Sequence, residues 1–408
     1  MAVLSTASDQ VLLGRQPIFG AQLDLYAYEL LYRNSQENQA TITDEDLASA
    51  RTMISAFLEI GLDQVVGSHK AFLNLPRLFI VENYCQELPK DRVVLEILEN
   101  VNPDPRTVQV LSQLSAQGYT IALDDFVYRD SLRAFLEIAH IVKLDVLSHD
   151  RETLKNHVAL LQPYKVKLIA EKVETREDFE FCKGLGFDYF QGFFFCKPNI
   201  IQGHRVPANQ RAILALLANL LDPNISFSKV EAIVRQDLSL SCKVLRYVNS
   251  AFFGLSRKID SIGEAAIMVG LVRLKMWAML IALASLEGKP PELLVTGLLR
   301  ARMCEQLAER MRQPAPDNFF TVGLFSVLDA LFDSTMANLI ASLGLSPEVS
   351  EALIDHEGIM GKTLECVLDY DRGDWEKVQD LDLPQSALRD TYLEAIAWSS
   401  SVLPFLNP

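Results

Sequence analysis

Eight short, nearly all-apolar runs are spaced along the first half of the chain. They are VLLGRQPIF from Val11, YAYELLYR from Tyr26, AFLNLP from Ala71, VVLEIL from Val93, TIALDDF from Thr120, IVKLDV from Ile141, KLIAEKV from Lys167 and YFQGFFF from Tyr189. Strands buried on both faces read this way. Stretches of helical period lie between them: Thr107 to Gln117, closed by Gly118 as a helix C-terminus favours, Ser131 to Ala139, and Thr153 to Leu161. Strand and helix alternating at this spacing predict a TIM-like α/β barrel of parallel strands over residues 11–198. Pro198, Gly203 and Pro207 mark residues 199–209 as a linker. From there the period is helical throughout, predicting an all-α domain over residues 210–400. Asn224 to Ser226 supply a cap before Phe227, Lys289-Pro290-Pro291 makes a second break, and the closing SVLPFLNP reads as a tail.

The polar positions inside the strands change the picture. Asn74, Glu96, Asp124, Lys143, Glu171 and Gln191 each interrupt an apolar run near its C-terminal end, and they recur every 19 to 28 residues, one strand–helix unit apart. A parallel barrel gathers the C-terminal ends of its strands on one face, so these groups converge on one pocket. Strand ends are also polar because they meet solvent, which accounts for one or two such residues but poorly for nearly every strand. Asp124 and Asp125 are adjacent and should point different ways, since side chains alternate along a strand. With Glu29, Glu96 and Glu171 they make five carboxylates, and Asn74 and Gln191 add neutral oxygens. Hard oxygen donors of this kind suit Mg²⁺ or Mn²⁺, and two such cations would offset the repulsion among the carboxylates. A two-metal site can activate water and stabilise a leaving oxygen on phosphorus.

Net charge is −15, with 53 acidic against 38 basic residues, which argues against general nucleic-acid binding. A small phosphate ligand stays compatible, because a bound metal reverses the local field. Cys85, Cys182, Cys196, Cys242, Cys304 and Cys366 show no CxxC spacing and read as buried free thiols in a reducing compartment. Met1 to Gln10 lacks the basic and apolar regions of a secretory leader. The apolar stretch Ile267 to Leu286 is interrupted by Arg273 and Lys275, leaving too short a clean run to span a bilayer. A cytoplasmic protein without a membrane span is expected.

Taken in order, the motifs resemble the EAL domain of cyclic di-GMP phosphodiesterases over about Arg15 to Pro198. QPIF (Gln16 to Phe19) and YELLYR (Tyr28 to Arg33) are similar to that family's QPI and ExLxR motifs, with Glu29 as the signature glutamate. LNLP places the asparagine motif on Asn74, and LEILEN resembles the ELTE-type motif, giving Glu96 and Glu99. ALDDF matches at Asp124 and Asp125, VKLDV at Lys143 and Asp145, AEKVET at Glu171 and Glu174, and FQGFFFCKP at Gln191. The resemblance implies hydrolysis of cyclic di-GMP to pGpG with two Mg²⁺ or Mn²⁺ ions per barrel. Glu29, Asn74, Glu96, Asp124 and Asp125 would be the metal ligands. Lys143 would orient or deprotonate the attacking water, its pKa lowered between the metals; Gln191 would position water or phosphate, and Glu171 would stand near the second metal or reach it through water, all three counted as catalytic. Glu99 would steady the loop after the next strand, and Gln16, Arg33, Asp145 and Glu174 would contact the dinucleotide. The sequence departs from the family where Val127 replaces the glycine after DDF and Lys172 replaces the glycine of AEGVE. β-Branched Val127 disfavours positive φ, so a stiffer loop, slower turnover and retained ligand binding are expected. That loop couples to dimerisation in the family, which adds a homodimer to the partners implied.

The helical half resembles the HDOD domain, a relative of HD phosphohydrolases without their metal ligands, from about Ala212 to Trp375. KVLRYVNSAFFG (from Lys243) and IGEAAIMVGLVRLKMWA (from Ile262) carry the likeness. Past residue 200 the histidines are His204 and His356, and Asp355-His356 reverses the HD order, so no metal centre is expected there. Met276 and Trp277 read as core. The resemblance implies protein partners for this half. Two readings follow: a phosphodiesterase tuned by its helical domain, or a receptor or scaffold whose barrel binds cyclic di-GMP without turnover, or binds nothing, while the helical domain contacts other proteins.

Overall fold

The structure is a computed structural model that describes residues 11–34, 61–197, 208–222, 224–250, 257–378, 381 and 383–406. The expected linker 199–209 lies almost wholly outside the described residues. The chain forms two compact units. One comprises residues 1–197 with Asp369–Val378 and Leu383–Leu393; the other comprises Pro198–Leu368, Gln379–Asp382 and Glu394–Pro408.

The first unit is a closed eight-stranded barrel in chain order: β1 (Val11–Gly20), β2 (Leu25–Asn34), β3 (Lys70–Leu75), β4 (Val93–Ile97), β5 (Thr120–Leu123), β6 (Ile141–Asp145), β7 (Lys167–Glu171) and β8 (Tyr189–Gln191). Strands β2 to β8 run parallel to their neighbours, but β1 is antiparallel to both β2 and β8. This corrects the all-parallel expectation. Only residues 21–24 join β1 to β2, and a tight turn closes them through Gly20 N–H to the Asp24 carbonyl at 2.8 Å. A parallel crossover needs a dozen residues or more.

The connecting helices start and stop where local chemistry tells them to. Asp104 accepts hydrogen bonds from Arg106 and Thr107 N–H and opens the helix Pro105–Ala116. That helix closes with Gly118 at φ +94°, Gly118 N–H on Ser115 and Tyr119 N–H on Leu114, a Schellman arrangement. Asp150 caps Arg151–Leu161 in the same way. The helix expected over Ser131 to Ala139 is reduced to a 3₁₀ turn, Asp130–Leu132, and one helical turn, Arg133–Leu136, neither with a side-chain cap.

Asp369–Val378 and Leu383–Leu393 belong to the barrel unit although they fall within the 210–400 stretch. Two tyrosines tie them to the edge of β1 that β8 does not reach. Tyr370 Oη donates to the Leu13 carbonyl at 2.7 Å, and Arg15 N–H donates to Tyr392 Oη at 3.1 Å. Pro17, next in that alternation, has no N–H to satisfy. Tyr370→Phe should therefore strand a buried backbone carbonyl and lower stability by about 1–2 kcal/mol in urea unfolding; an unchanged midpoint would show that water replaces the hydroxyl.

Every element of the second unit among the described residues is helical. Ser226 caps Phe227–Gln236, as expected. Trp277 is buried against Tyr247 and belongs to the core. The expected tail is instead helix: Gln385–Leu406 runs through Pro404, Val402 and Leu406 are fully buried, and Lys243 Nζ donates to the Leu406 carbonyl at 3.0 Å. A proline in the last turn costs one hydrogen bond and does not stop a helix held by buried side chains. The apolar stretch from Ile267 is broken at Gly270 (φ +86°), and no described helix is long and apolar enough to cross a membrane. The six cysteines are free; Cys85, Cys182, Cys304 and Cys366 are buried as expected, whereas Cys196 is half-buried and Cys242 is exposed.

Candidate active site

One apolar layer of the barrel takes a residue from every strand: Ile18, Ala27, Phe72, Val94, Ala122, Ile141, Ile169 and Tyr189. Side chains on a strand return to the same face every second residue. Two residues further along each parallel strand stand Glu29, Asn74, Glu96, Asp124, Lys143, Glu171 and Gln191; two residues back along antiparallel β1 stands Gln16. The next layer of the barrel is therefore polar at all eight positions. This gathers the six residues picked out by spacing with Glu29, counted among the five carboxylates, and Gln16, which only its motif had flagged.

Lys143 sits at the centre of this layer, fully buried. Its ammonium lies 3.1 Å from Glu29 Oε2, 2.9 Å from Asp124 Oδ1 and 2.8 Å from Glu171 Oε1, and it also contacts Glu96 Oε1. Gln191 Nε2 donates to Glu29 Oε2 at 2.7 Å and to Gln16 Oε1 at 3.0 Å, while Asn74 Nδ2 donates to Glu29 Oε1 at 3.0 Å. Burial alone would push the Lys143 pKa down, but the four carboxylates hold it well above its ordinary value. Burial pushes Glu96 and Asp124 up, and Glu171 up to about 8, with neighbouring carboxylates adding to each. Burial opposes ionisation of Glu29 too, but Lys143, Gln191 and Asn74 together bring it below the usual range.

The remaining predicted residues lie around this layer. β5 ends at Leu123, yet Asp124 N–H still bonds to Ile97 and Phe126 N–H to Lys143, so the ladder resumes on both sides of Asp125. Asp125 takes φ +39° between them. The two aspartates part through a left-handed residue, not through regular strand alternation. Asp145 holds the turn after β6 through Leu147 N–H, Ser148 N–H and Ser148 Oγ, and also receives Lys172 Nζ at 2.6 Å. Glu174 pairs with Lys197 at 3.1 Å. Glu99 lines a separate cavity of 170 Å³ with Asp124, Asp125, Val127 and Arg129. The side chain of Arg33 lies outside the described residues.

A cleft of 670 Å³ opens above the polar layer, with Gln16, Glu29, Asp124, Asp125, Glu171 and Gln191 in its wall. Several buried oxygens of the polar layer accept no hydrogen bond: Asn74 Oδ1, Glu96 Oε2, Glu171 Oε2 and Gln191 Oε1. Such oxygens are costly unless a cation or donor reaches them, and as a set they suit a hard divalent ion. Among the described residues no three carboxylate, histidine or cysteine side chains stand grouped to hold a metal as they are, because the carboxylates close on the Lys143 ammonium. A divalent ion would share them with it.

A model of the EAL domain matches residues 5–198 and a model of the HDOD domain matches residues 206–344. The chain is 31% identical over 408 residues to the uncharacterized protein YuxH of Bacillus subtilis, covering 97% of this chain and 99% of YuxH. It is 32% identical over 397 residues to the cyclic di-GMP phosphodiesterase CdgJ of Vibrio cholerae, covering 95% of this chain and 92% of CdgJ. The chain belongs to the family of EAL–HDOD proteins. Among solved structures, the EAL-containing YkuI protein of Bacillus subtilis, in complex with cyclic di-GMP and calcium, overlaps 65% of the EAL–HDOD chain and 74% of its own, at 21% identity and TM-score 0.39.

The cleft of this EAL–HDOD chain also has walls that its motifs did not announce. Arg372, Asp374 and Lys377 line it with Lys172 and Lys197, and Gln16 Nε2 donates to the Arg372 carbonyl at 3.0 Å. Nothing in a helical pattern 180 residues past the barrel signals that its end returns to the first strand. Lys172 stood in plain view as a departure from the AEGVE motif, but the sequence did not show where its ammonium goes.

Proposed function

We propose that the barrel hydrolyses cyclic di-GMP to pGpG with Mg²⁺ or Mn²⁺, the ions held by Glu29, Asn74, Glu96, Asp124 and Asp125. The observation that carries this reading is the polar layer, one side chain from each of eight strands, under a cleft of 670 Å³. When bound, a divalent cation would lower the pKa of water and polarise the phosphate. Lys143 orients the attacking water while keeping four carboxylates together, and Glu171 and Gln191 fix its remaining hydrogen bonds. Gln16, Arg33, Asp145 and Glu174 serve the dinucleotide side. Glu99 steadies the loop that begins at Val127, whose cavity it lines. The helical unit regulates through protein contacts, a role supported by large apolar side chains standing in water: Leu238 at 79% exposure, Ile267 at 75% and Val272 at 53%.

The test is incubation of the purified chain with cyclic di-GMP and Mn²⁺ or Mg²⁺, following pGpG by chromatography. Asp124→Asn should reduce turnover by on the order of 100-fold or more and weaken Mn²⁺ binding; unchanged turnover would remove Asp124 from the metal site. A second reading, binding without turnover, is favoured by one observation, the Lys172 ammonium 3.7 Å from Asp125. Cyclic di-GMP bound under every metal with no pGpG released would decide for it.

A further inference from the structure

Lys172 follows β7 directly and takes φ +54°. A residue other than glycine occupies this left-handed region at a cost, so the outlier asks what its side chain gains. Its ammonium lies 2.6 Å from Asp145 Oδ2 and 3.7 Å from Asp125 Oδ1. Asp145 is fixed by three hydrogen bonds from Leu147 and Ser148, so it anchors the lysine. Asp125 is itself left-handed and turns its carboxylate to the same cleft, where Lys172 lines the wall beside Asp124, Asp125 and Glu171. The charges divide into two groups. Around Lys143 stand four carboxylates; around Lys172 stand Asp125 and Asp145. The first group has four carboxyl groups to one ammonium, and the layer holds buried oxygens that accept no hydrogen bond, Glu96 Oε2 and Asn74 Oδ1 among them. The second has two carboxylates to one ammonium.

Building on the metal reading above, we propose that Lys172 is a resident cation standing in for a second divalent ion. The barrel then takes up one ion tightly, at Glu29, Asn74, Glu96 and Asp124. A second enters at Asp125 only by displacing an ammonium already tethered to Asp145. A cation held within a few ångströms both repels an incoming divalent ion and competes for its ligand. Lys172 is half-exposed, so the swing away is sterically open and the second site is weakened but not abolished.

The experiment is Mn²⁺ titration of the full chain by calorimetry, with electron paramagnetic resonance to separate isolated from exchange-coupled Mn²⁺. Wild type should bind one ion tightly and show an isolated signal. Lys172→Gly removes the charge while glycine accepts φ +54° without strain. It should bind two ions, with affinity for the second raised roughly 10-fold or more, and show exchange coupling. Lys172→Arg keeps the charge and should stay at one. Two ions of similar affinity in wild type, or a single ion in Lys172→Gly, overturns the role of Lys172 and leaves the metal reading standing. Failure of every form to take up Mn²⁺ overturns both.

Discussion

Lys143→Ala is expected to cost the metal-free protein about 3–5 kcal/mol, because it leaves four carboxylates, three of them buried, facing one another without a cation. Lys143 contacts Glu29, Glu96, Asp124 and Glu171 at once, and it is the group that lets the polar layer close in the absence of metal. Removing it should make stability depend on divalent ions. In EDTA the variant should melt well below wild type, and saturating Mn²⁺ should return most of the difference, since a divalent ion supplies the missing charge. Turnover should fall on the order of 100-fold or more even with Mn²⁺ present, because the ion replaces the charge of the ammonium but not its hydrogen-bonding geometry. A variant as stable as wild type in EDTA would mean that the carboxylates take protons at no cost, and would sink the central role given to Lys143.

The same cluster fixes a direction for pH. Glu171 is pushed up to about 8 by burial, and Glu96 is also raised. A carboxylate that binds its proton more tightly folded than unfolded adds stability below its ordinary pKa and loses it as pH rises through the folded value. The metal-free protein should therefore lose stability between about pH 5 and pH 8. Glu29, held below the usual range, works the other way and has largely finished its change below that window. Thermal melts in EDTA across this range check the sign; a rise in stability toward pH 8 would contradict it.

Much of this site could be read from the chain because a barrel turns a one-dimensional regularity into a three-dimensional one. Asn74, Glu96, Asp124, Lys143, Glu171 and Gln191 are each two residues beyond an apolar layer residue, and the two-residue period of a strand does the rest. Glu29 entered with the carboxylates and Gln16 with its motif. The direction of β1 was not legible from composition: an apolar run looks the same whichever way it points, and only the short turn to β2 decides it. Lys172 was legible as a change from glycine but not as an ion pair, because its target, Asp145, is 27 residues away. Arg372, Asp374 and Lys377 were not legible at all, since helical period says which face is apolar and not which surface it will meet. Pro404 misled in the opposite sense: a breaker was visible, the burial of Val402 and Leu406 that overrides it was not.

Gly192→Ala is expected to be among the most damaging single-methyl additions in the barrel. Gly192 follows Gln191 at the end of β8 and takes φ +143°. A Cβ there would lie 2.2 Å from the Val173 carbonyl oxygen and 2.5 Å from its nitrogen. Those atoms are backbone, held by Val173 N–H on the Gln191 carbonyl and Phe194 N–H on the Val173 carbonyl, so no rotamer can relieve the clash. The β7 and β8 loops would have to separate, carrying Gln191 away from Glu29 and Lys172 away from Asp125. We expect a loss of at least about 3 kcal/mol, a melting temperature lower by roughly 6–12 °C, and turnover reduced with it. Gly186→Ala is the control. Gly186 also has positive φ, +92°, but a Cβ there meets nothing within 4 Å. It should cost only the left-handed backbone, about 1–2 kcal/mol, so the gap between the two variants measures the close approach itself. If Gly192→Ala melts within about 2 °C of Gly186→Ala, the two loops are not locked together at this point, and the placement of Gln191 depends on something other than the Gly192–Val173 contact.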